Sequence, residues 1–395
     1  MRIGLYGIMG TYNFGCEAIV RGSCKFIQDI YPESEIIYYT YSEEYDKKAL
    51  ADLNITIKPI HSNKTVIKRI VNKLCRTLKI NKQCLMFDYK SIIDEVDVIM
   101  SIGGDIYTIP KIIRENRKYP YYNSLVDFCD KAIDRGKDVI VYGASVGPWG
   151  NYKKAVDYNV KALGKYKLIM CREQETISYL KGLGLNNTIF FPDPAFQIRI
   201  EEIQKKQYIG INLSPLSLKE LYGDNDEIYI EKLAKLMDQL YEELHIQLMF
   251  IPHVLSNSKS DNDLLFMKKI HNKMIYKDNA VFADSSKGFI GLKKYISKCY
   301  VVAAARMHCA VNAIDENIPA IFLAYSQKGV GMCKYVYGNG KYLISLKNID
   351  KELINTIKKA VEESDVLSRE LEKRNDEIYQ YYKSHVDSVR QILYK

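Results

Sequence analysis

Short apolar runs, each closed by a glycine or a polar residue and followed by a stretch of helical period, recur along almost the whole chain. In the first half they are Ile3–Tyr6, ahead of a helix from about Cys16, then Val98–Ile102, Val139–Tyr142 and Leu168–Met170. A run that is apolar at every position suits a strand buried on both faces, and helical crossovers make neighbouring strands parallel. The rhythm pauses at the charged stretch Glu201–Lys206, which reads as a linker. It restarts at Tyr208–Asn212 and continues through Ile246–Ile251, Ala280–Phe282, Tyr300–Ala303 and Ala320–Leu323. At 395 residues the chain exceeds the roughly 250 to 300 residues over which one core keeps growing. The pattern therefore predicts an α/β protein with two Rossmann-like domains, 1–195 and 207–348, facing across a cleft in the GT-B manner. Residues 349–395 form a helical tail whose stripe of Leu367, Leu371, Ile378, Tyr381 and Tyr382 packs back on the body.

Composition narrows the function by exclusion. Nine cysteines without a C-x-x-C pair, and no histidine cluster of ligand spacing, give neither a disulfide framework nor a metal site. No signal peptide or spanning segment is legible, so the reading is cytoplasmic. A net charge of +9 suits phosphate, anionic lipid or nucleic acid alike.

The candidate chemistry sits at strand ends, where open sheets bind ligands. Asn13, Gly15 and Glu17 lie in the loop Gly10–Ala18 after the first strand. Gly103, Gly104 and Asp105 follow the second, and Ser145 lies in Gly143–Pro148. Each loop taken singly is equally well a glycine-permitted turn. Arg172 closes another strand and can fork onto a carboxylate or phosphate, or simply pair with Glu175 or Asp193. The sharpest signal is Ala305-Arg306-Met307-His308, which delivers a cation and an imidazole to a strand-to-helix junction already favourable to anions. His253, after Ile251-Pro252, ends one more strand. The triplets Asp224-Asn225-Asp226 and Asp261-Asn262-Asp263 read as helix caps.

Taken together and in order, Asn13–Ala18, Gly103-Gly104-Asp105, Gly143–Pro148, Arg172-Glu173, Pro192–Phe196 and Ala305–His308 resemble the polysaccharide pyruvyl transferase family. The resemblance implies a GT-B-like fold, phosphoenolpyruvate as donor, and no cofactor or metal. It assigns Arg172, Arg306 and His308 to donor binding and catalysis. The acceptor it implies is a sugar of a cell-surface glycan or its lipid-linked precursor, met by the N-terminal domain, with the donor on the C-terminal one. Pyruvyl transfer would form a ketal there and release phosphate. No nucleic-acid partner is expected. Cys16, where the family often has aspartate, and Met307 in place of leucine depart from the pattern. Two other readings stay open: a GT-B glycosyltransferase using a nucleotide sugar, and a non-catalytic glycan-binding member.

Lys64–Lys82 holds seven basic residues and no acid, and its apolar residues Ile67, Ile70, Val71, Leu74 and Leu78 share one helical face. The favoured expectation packs that face on the N-terminal domain. The second lays the helix on an anionic membrane surface, a peripheral contact at its inner face.

Overall fold

The computed structural model describes residues 1–200, 204–217, 226–324 and 327–394. The linker residues 201–203 and the triplet at 224–226 lie outside the described residues or their side chains. Among the described residues there are two parallel sheets. The first has seven strands in the order β3-β2-β1-β4-β5-β6-β7: β1 Arg2–Tyr6, β2 Glu35–Thr40, β3 Thr56–Pro59, β4 Val98–Ile102, β5 Asp138–Tyr142, β6 Leu168–Cys171 and β7 Thr188–Phe190. The second has six, β10-β9-β8-β11-β12-β13: β8 Tyr208–Asn212, β9 Gln247–Phe250, β10 Ala280–Phe282, β11 Cys299–Ala304, β12 Ala320–Ala324 and β13 Leu343–Ser345. Each order reverses once, between β1 and β4 and between β8 and β11.

The burial explains why these runs are strands. Every residue of Val98–Ile102 is buried, as helices on both faces of a parallel sheet require. Tyr38, Tyr39 and Ile37 of β2 are buried as well, although aromatic and polar residues break the apolar run. Four strands, β2, β3, β7 and β13, lie outside the apolar runs of the sequence. Three of them are only three or four residues long, and short edge strands carry little periodicity.

The chain divides into two compact units. The first comprises Met1–Gly10, Ile19–Pro194 and Tyr382–Lys395, and the second Thr11–Ala18 and Ala195–Tyr381. Loop Thr11–Ala18 thus belongs to the second unit although it follows the first strand. The long helix Ser364–Tyr394 buries Leu367, Leu371 and Ile378 in the second unit, where Asn375 donates to the Ile314 carbonyl at 2.6 Å. Its last turns belong to the first unit, where the Tyr382 hydroxyl donates to Asp29 at 2.6 Å and the ring packs on Phe191.

Helix Val66–Thr77 is oriented opposite to the favoured expectation. Its polar side faces the protein: Asn72 is buried, donating to the Cys84 carbonyl at 3.0 Å and accepting from the Cys84 N–H at 2.6 Å. Val66, Ile67, Ile70, Leu74 and Leu78 are exposed. Among the described residues no helix is long and apolar enough to cross a membrane.

Candidate functional site

The carboxyl edge of the second sheet, at its reversal between β8 and β11, gathers most of the candidates. Asn212 closes β8 and locks this edge. Its Oδ1 accepts from the Arg306 N–H at 2.9 Å, and its Nδ2 donates to the Ile251 carbonyl at 2.9 Å and to Asp263 at 3.3 Å. Arg306 is the N-cap of helix Met307–Asp315, so His308 stands in that helix's first turn, where N–H groups without intrahelical acceptors favour an anion.

The Arg306 guanidinium is held by two carboxylates. Nη2 donates to Asp263 at 2.8 Å and to Asp261 at 2.5 Å, and Nε donates to Asp263 at 3.2 Å. Nη1 has no partner among the described residues, which leaves one amino group for a ligand. Burial would lower the Arg306 pKa, but Asp263 and Asp261 raise it, so the group stays charged. Asp263 itself is fully buried and also accepts from the backbone N–H groups of His253 and Val254 at 3.2 and 3.1 Å. Burial pushes its carboxyl up from the ordinary value while Arg306 and the N–H donors pull it back. These contacts correct the reading of Asp261 and Asp263 as caps. The cap is Asn262, whose Oδ1 accepts from the Leu265 N–H at 3.0 Å, and a carboxylate buried as deeply as Asp263 needs the arginine opposite.

Loop Thr11–Ala18 lies along the chain after β9. The Phe14 N–H donates to the His253 carbonyl at 3.0 Å and the Leu255 N–H to the Tyr12 carbonyl at 2.9 Å. Asn13 starts helix Phe14–Ile30 by accepting the Gly15 N–H at 3.0 Å on Oδ1. Glycine at position 15 leaves room for the imidazole: a Cβ there would stand 2.6 Å from His308 Nδ1 and displace that ring. Glu17, almost fully buried, accepts from the Phe289 N–H at 2.8 Å with Oε2, at the start of helix Gly288–Ile296. His253 is 1% exposed, its ring between Phe14 and Phe289 at centroid distances of 5.8 and 6.0 Å. Its Nε2 is buried without a hydrogen-bond partner among the described residues. Burial, aided by the neighbouring His308, Arg306 and Lys293, holds its pKa well below the usual imidazole value, so the ring is neutral.

The other candidates belong to the first unit, at the carboxyl ends of β4 to β7. The Ser145 N–H donates to the Gly104 carbonyl at 2.7 Å, coupling the two glycine loops. Gly103 precedes it in the first loop, and Asp105 is exposed, its carbonyl accepting from the Thr108 hydroxyl at 3.0 Å. Arg172, expected to meet the donor, is 1% exposed. Its Nη1 donates to Asp193 at 2.7 Å and its Nη2 to the Ser145 hydroxyl at 3.0 Å, which in turn donates to Glu173 at 2.9 Å. Gly143, at φ +73°, allows the close approach of Pro194, since a Cβ would stand 2.7 Å from its Cγ. No group of three or more metal-ligating side chains occurs among the described residues.

Sequence reasoning passed over Asn212 and took Asp261 and Asp263 for caps. The signal for Asn212 was available, a polar residue closing an otherwise apolar strand. For the two aspartates the triplet was visible, but only burial shows that its acids pair with Arg306.

Two parallel α/β units of this kind, with C-terminal helices, make the GT-B class of fold. The sequence model of the polysaccharide pyruvyl transferase family matches residues 13–327, and the chain belongs to that family. No curated protein sequence matches the chain significantly. Among solved structures, the chain resembles the UDP-GlcNAc 2-epimerase of Neisseria meningitidis bound to UDP-GlcNAc (TM-score 0.55, 10% identity, 94% of each chain covered). It also resembles the Staphylococcus aureus MnaA–UDP structure (TM-score 0.56, 11% identity, 98% of this chain and 96% of that one). The third is Acinetobacter baumannii MurG (TM-score 0.51, 11% identity, 99% of each). At such identities the likeness is one of fold.

Proposed function

We propose that this protein transfers a pyruvyl group from phosphoenolpyruvate to hydroxyls of a sugar acceptor in a cell-surface glycan or its lipid-linked precursor. The observation that carries the reading is the Arg306–His308 pair at the start of a helix, with Arg306 Nη1 uncommitted and directed by two fixed carboxylates. Asp263 and Asp261 offset much of the guanidinium charge. The Nη1 amino group of Arg306, the helix N-terminus and His308 together bind the anionic donor.

In this reading a proton adds to the methylene carbon of the enol phosphate, making it a methyl group and leaving positive character on the adjoining carbon. A sugar hydroxyl adds to that carbon and gives up its proton. A second hydroxyl then displaces phosphate from the same carbon and loses its proton, closing a cyclic ketal. His308 moves a proton in these steps, since an imidazole can both give and take one. Arg172, almost fully buried, acts as a positioning residue that fixes Ser145 and Glu173. Asn13, Gly15 and Glu17 hold the loop that packs on His308.

The test follows phosphate release from phosphoenolpyruvate with a panel of lipid-linked sugars, with parallel arms supplying UDP- and GDP-sugars. Acceptor-dependent phosphate release is the expected result. Turnover of a nucleotide sugar, with none of phosphoenolpyruvate on any acceptor, would replace the reading by glycosyl transfer.

A further inference from the structure

Helix Val66–Thr77 is built inside out. Thr65 caps it, accepting from the Lys68 N–H at 3.3 Å, and its inward side is polar: Asn72 clamps Cys84 and the Lys68 ammonium donates to the Leu85 carbonyl at 3.0 Å. The outward side carries Ile67, Ile70, Leu74 and Leu78, one stripe at helical spacing, 74%, 53%, 54% and 66% exposed. Lys64, Arg69, Lys73, Arg76, Lys79 and Lys82 are exposed around that stripe, and no acidic residue occurs between Lys64 and Lys82.

Asn81, just after the helix, accepts the Tyr121 N–H at 2.9 Å, and the segment ahead of Tyr121 exposes Lys111, Ile112, Glu115, Arg117 and Lys118. Ile112 is 76% exposed.

We propose that this face docks on an anionic lipid bilayer, the apolar stripe entering the boundary between headgroups and acyl chains and the basic flanks meeting lipid phosphates. Charge decides among the occupants. A second copy of the chain placed across a two-fold axis would set these basic flanks against themselves with no acid to answer them. A polyanion such as nucleic acid would answer the charge and leave the stripe in water. A bilayer with anionic headgroups satisfies both at once. A helix of 12 residues is about 18 Å long, too short to span, so it lies in the plane of the surface. The proposal does not rest on the reaction assigned above.

The experiment is co-sedimentation of the full-length protein with vesicles of phosphatidylcholine, with and without phosphatidylglycerol, over rising salt. The variants are Ile67→Ser/Ile70→Ser/Leu74→Ser and Arg69→Gln/Lys73→Gln/Lys79→Gln, chosen because these side chains are exposed, with circular dichroism confirming the fold. Binding is expected only to the phosphatidylglycerol vesicles. It should weaken with salt and fall about a hundredfold in the triple glutamine variant, as about fivefold per basic residue implies. The serine variant should lose binding likewise. Absence of sedimentation at low salt overturns the proposal. So does undiminished binding of the serine variant, which would make the contact charge alone. Sedimentation velocity showing a dimer that the serine variant dissolves, without vesicle binding, would assign the face to a second copy instead.

Discussion

Arg172 and Arg306 are written into the sequence in the same way, each following an apolar strand and preceding a helix, yet the two units use them differently. Arg172 is enclosed, with Asp193 and Ser145 on its two amino groups. Arg306 is also anchored on its Nε side, by Asp263, but it keeps Nη1 uncommitted at a helix N-terminus beside His308. A buried arginine whose two amino groups are both taken by protein partners fixes loops, whereas one with an amino group left over can present it to a ligand. The difference lies in the partners of the two guanidinium groups, and those come from distant positions: residues 145 and 193 for one arginine, residues 261 and 263 for the other.

The largest expected effect separates the two by whether activity returns with stability. Arg172→Met should destabilise the protein by about 3–5 kcal/mol because the buried Asp193 loses the guanidinium that balances its charge, and Arg172→Met/Asp193→Leu should recover most of that loss. Activity of the double variant should return to within about tenfold of the parent, as for a group acting through others. Arg306→Met should cost a similar amount of stability through Asp263, and Arg306→Met/Asp263→Leu should recover stability without activity. Thermal unfolding and phosphate release from phosphoenolpyruvate measure both. An inactive but stable Arg172→Met/Asp193→Leu variant would erase the contrast and place both arginines on the donor.

Gly15 probes the Arg306 side more finely. In an ordinary helix an alanine would gain about 1 kcal/mol over glycine, but here the new Cβ would stand 2.6 Å from His308 Nδ1 and force that ring to move. Gly15→Ala should therefore change stability by no more than about 1–2 kcal/mol while lowering kcat about 10- to 100-fold, the usual cost of a displaced reacting group. Normal kcat would mean that the position of His308 relative to this loop is immaterial to the reaction.

The sequence made the architecture legible because parallel strands buried on both faces need uninterrupted apolar runs, and Val98–Ile102 or Val301–Ala304 can be little else. The junction at Arg306 was legible for a related reason: an arginine and a histidine directly after small apolar residues have few places to go except a strand end. What stayed hidden depended on orientation. Asp263 looks like a cap until its neighbours bury it, and the stripe of Val66–Thr77 looks like a core-facing surface until Asn72 is found turned inward. Periodicity identifies that a helix has two faces and says nothing of which one the protein keeps.

Acid should distinguish the neighbourhood of Arg306 through His253. The ring is buried between Phe14 and Phe289, faces the charges of His308, Arg306 and Lys293, and is held neutral with its pKa well below the ordinary 6.5. For a base depressed on folding, the unfolded chain binds the proton first. The contribution of His253 is therefore complete above pH 6.5 and is lost as pH falls below it, by up to about 1.4 kcal/mol per pH unit. Other groups act with the opposite sign. Asp315, raised to about 6 by burial against the pull of Lys293, favours the folded state in acid and loses that contribution as pH rises through about 6. The total pH dependence is thus a sum, and His253→Leu isolates one member of it. Between pH 7 and pH 5 the parent should lose more stability than His253→Leu, with the difference growing towards acid. At pH 7 the substitution itself should cost little, because the Nε2 atom it removes has no partner to leave behind. Denaturant unfolding of the two proteins across this range measures the difference directly. Parallel curves would mean that His253 titrates alike in the folded and unfolded chain, and that its ring meets a proton donor or water in the folded state.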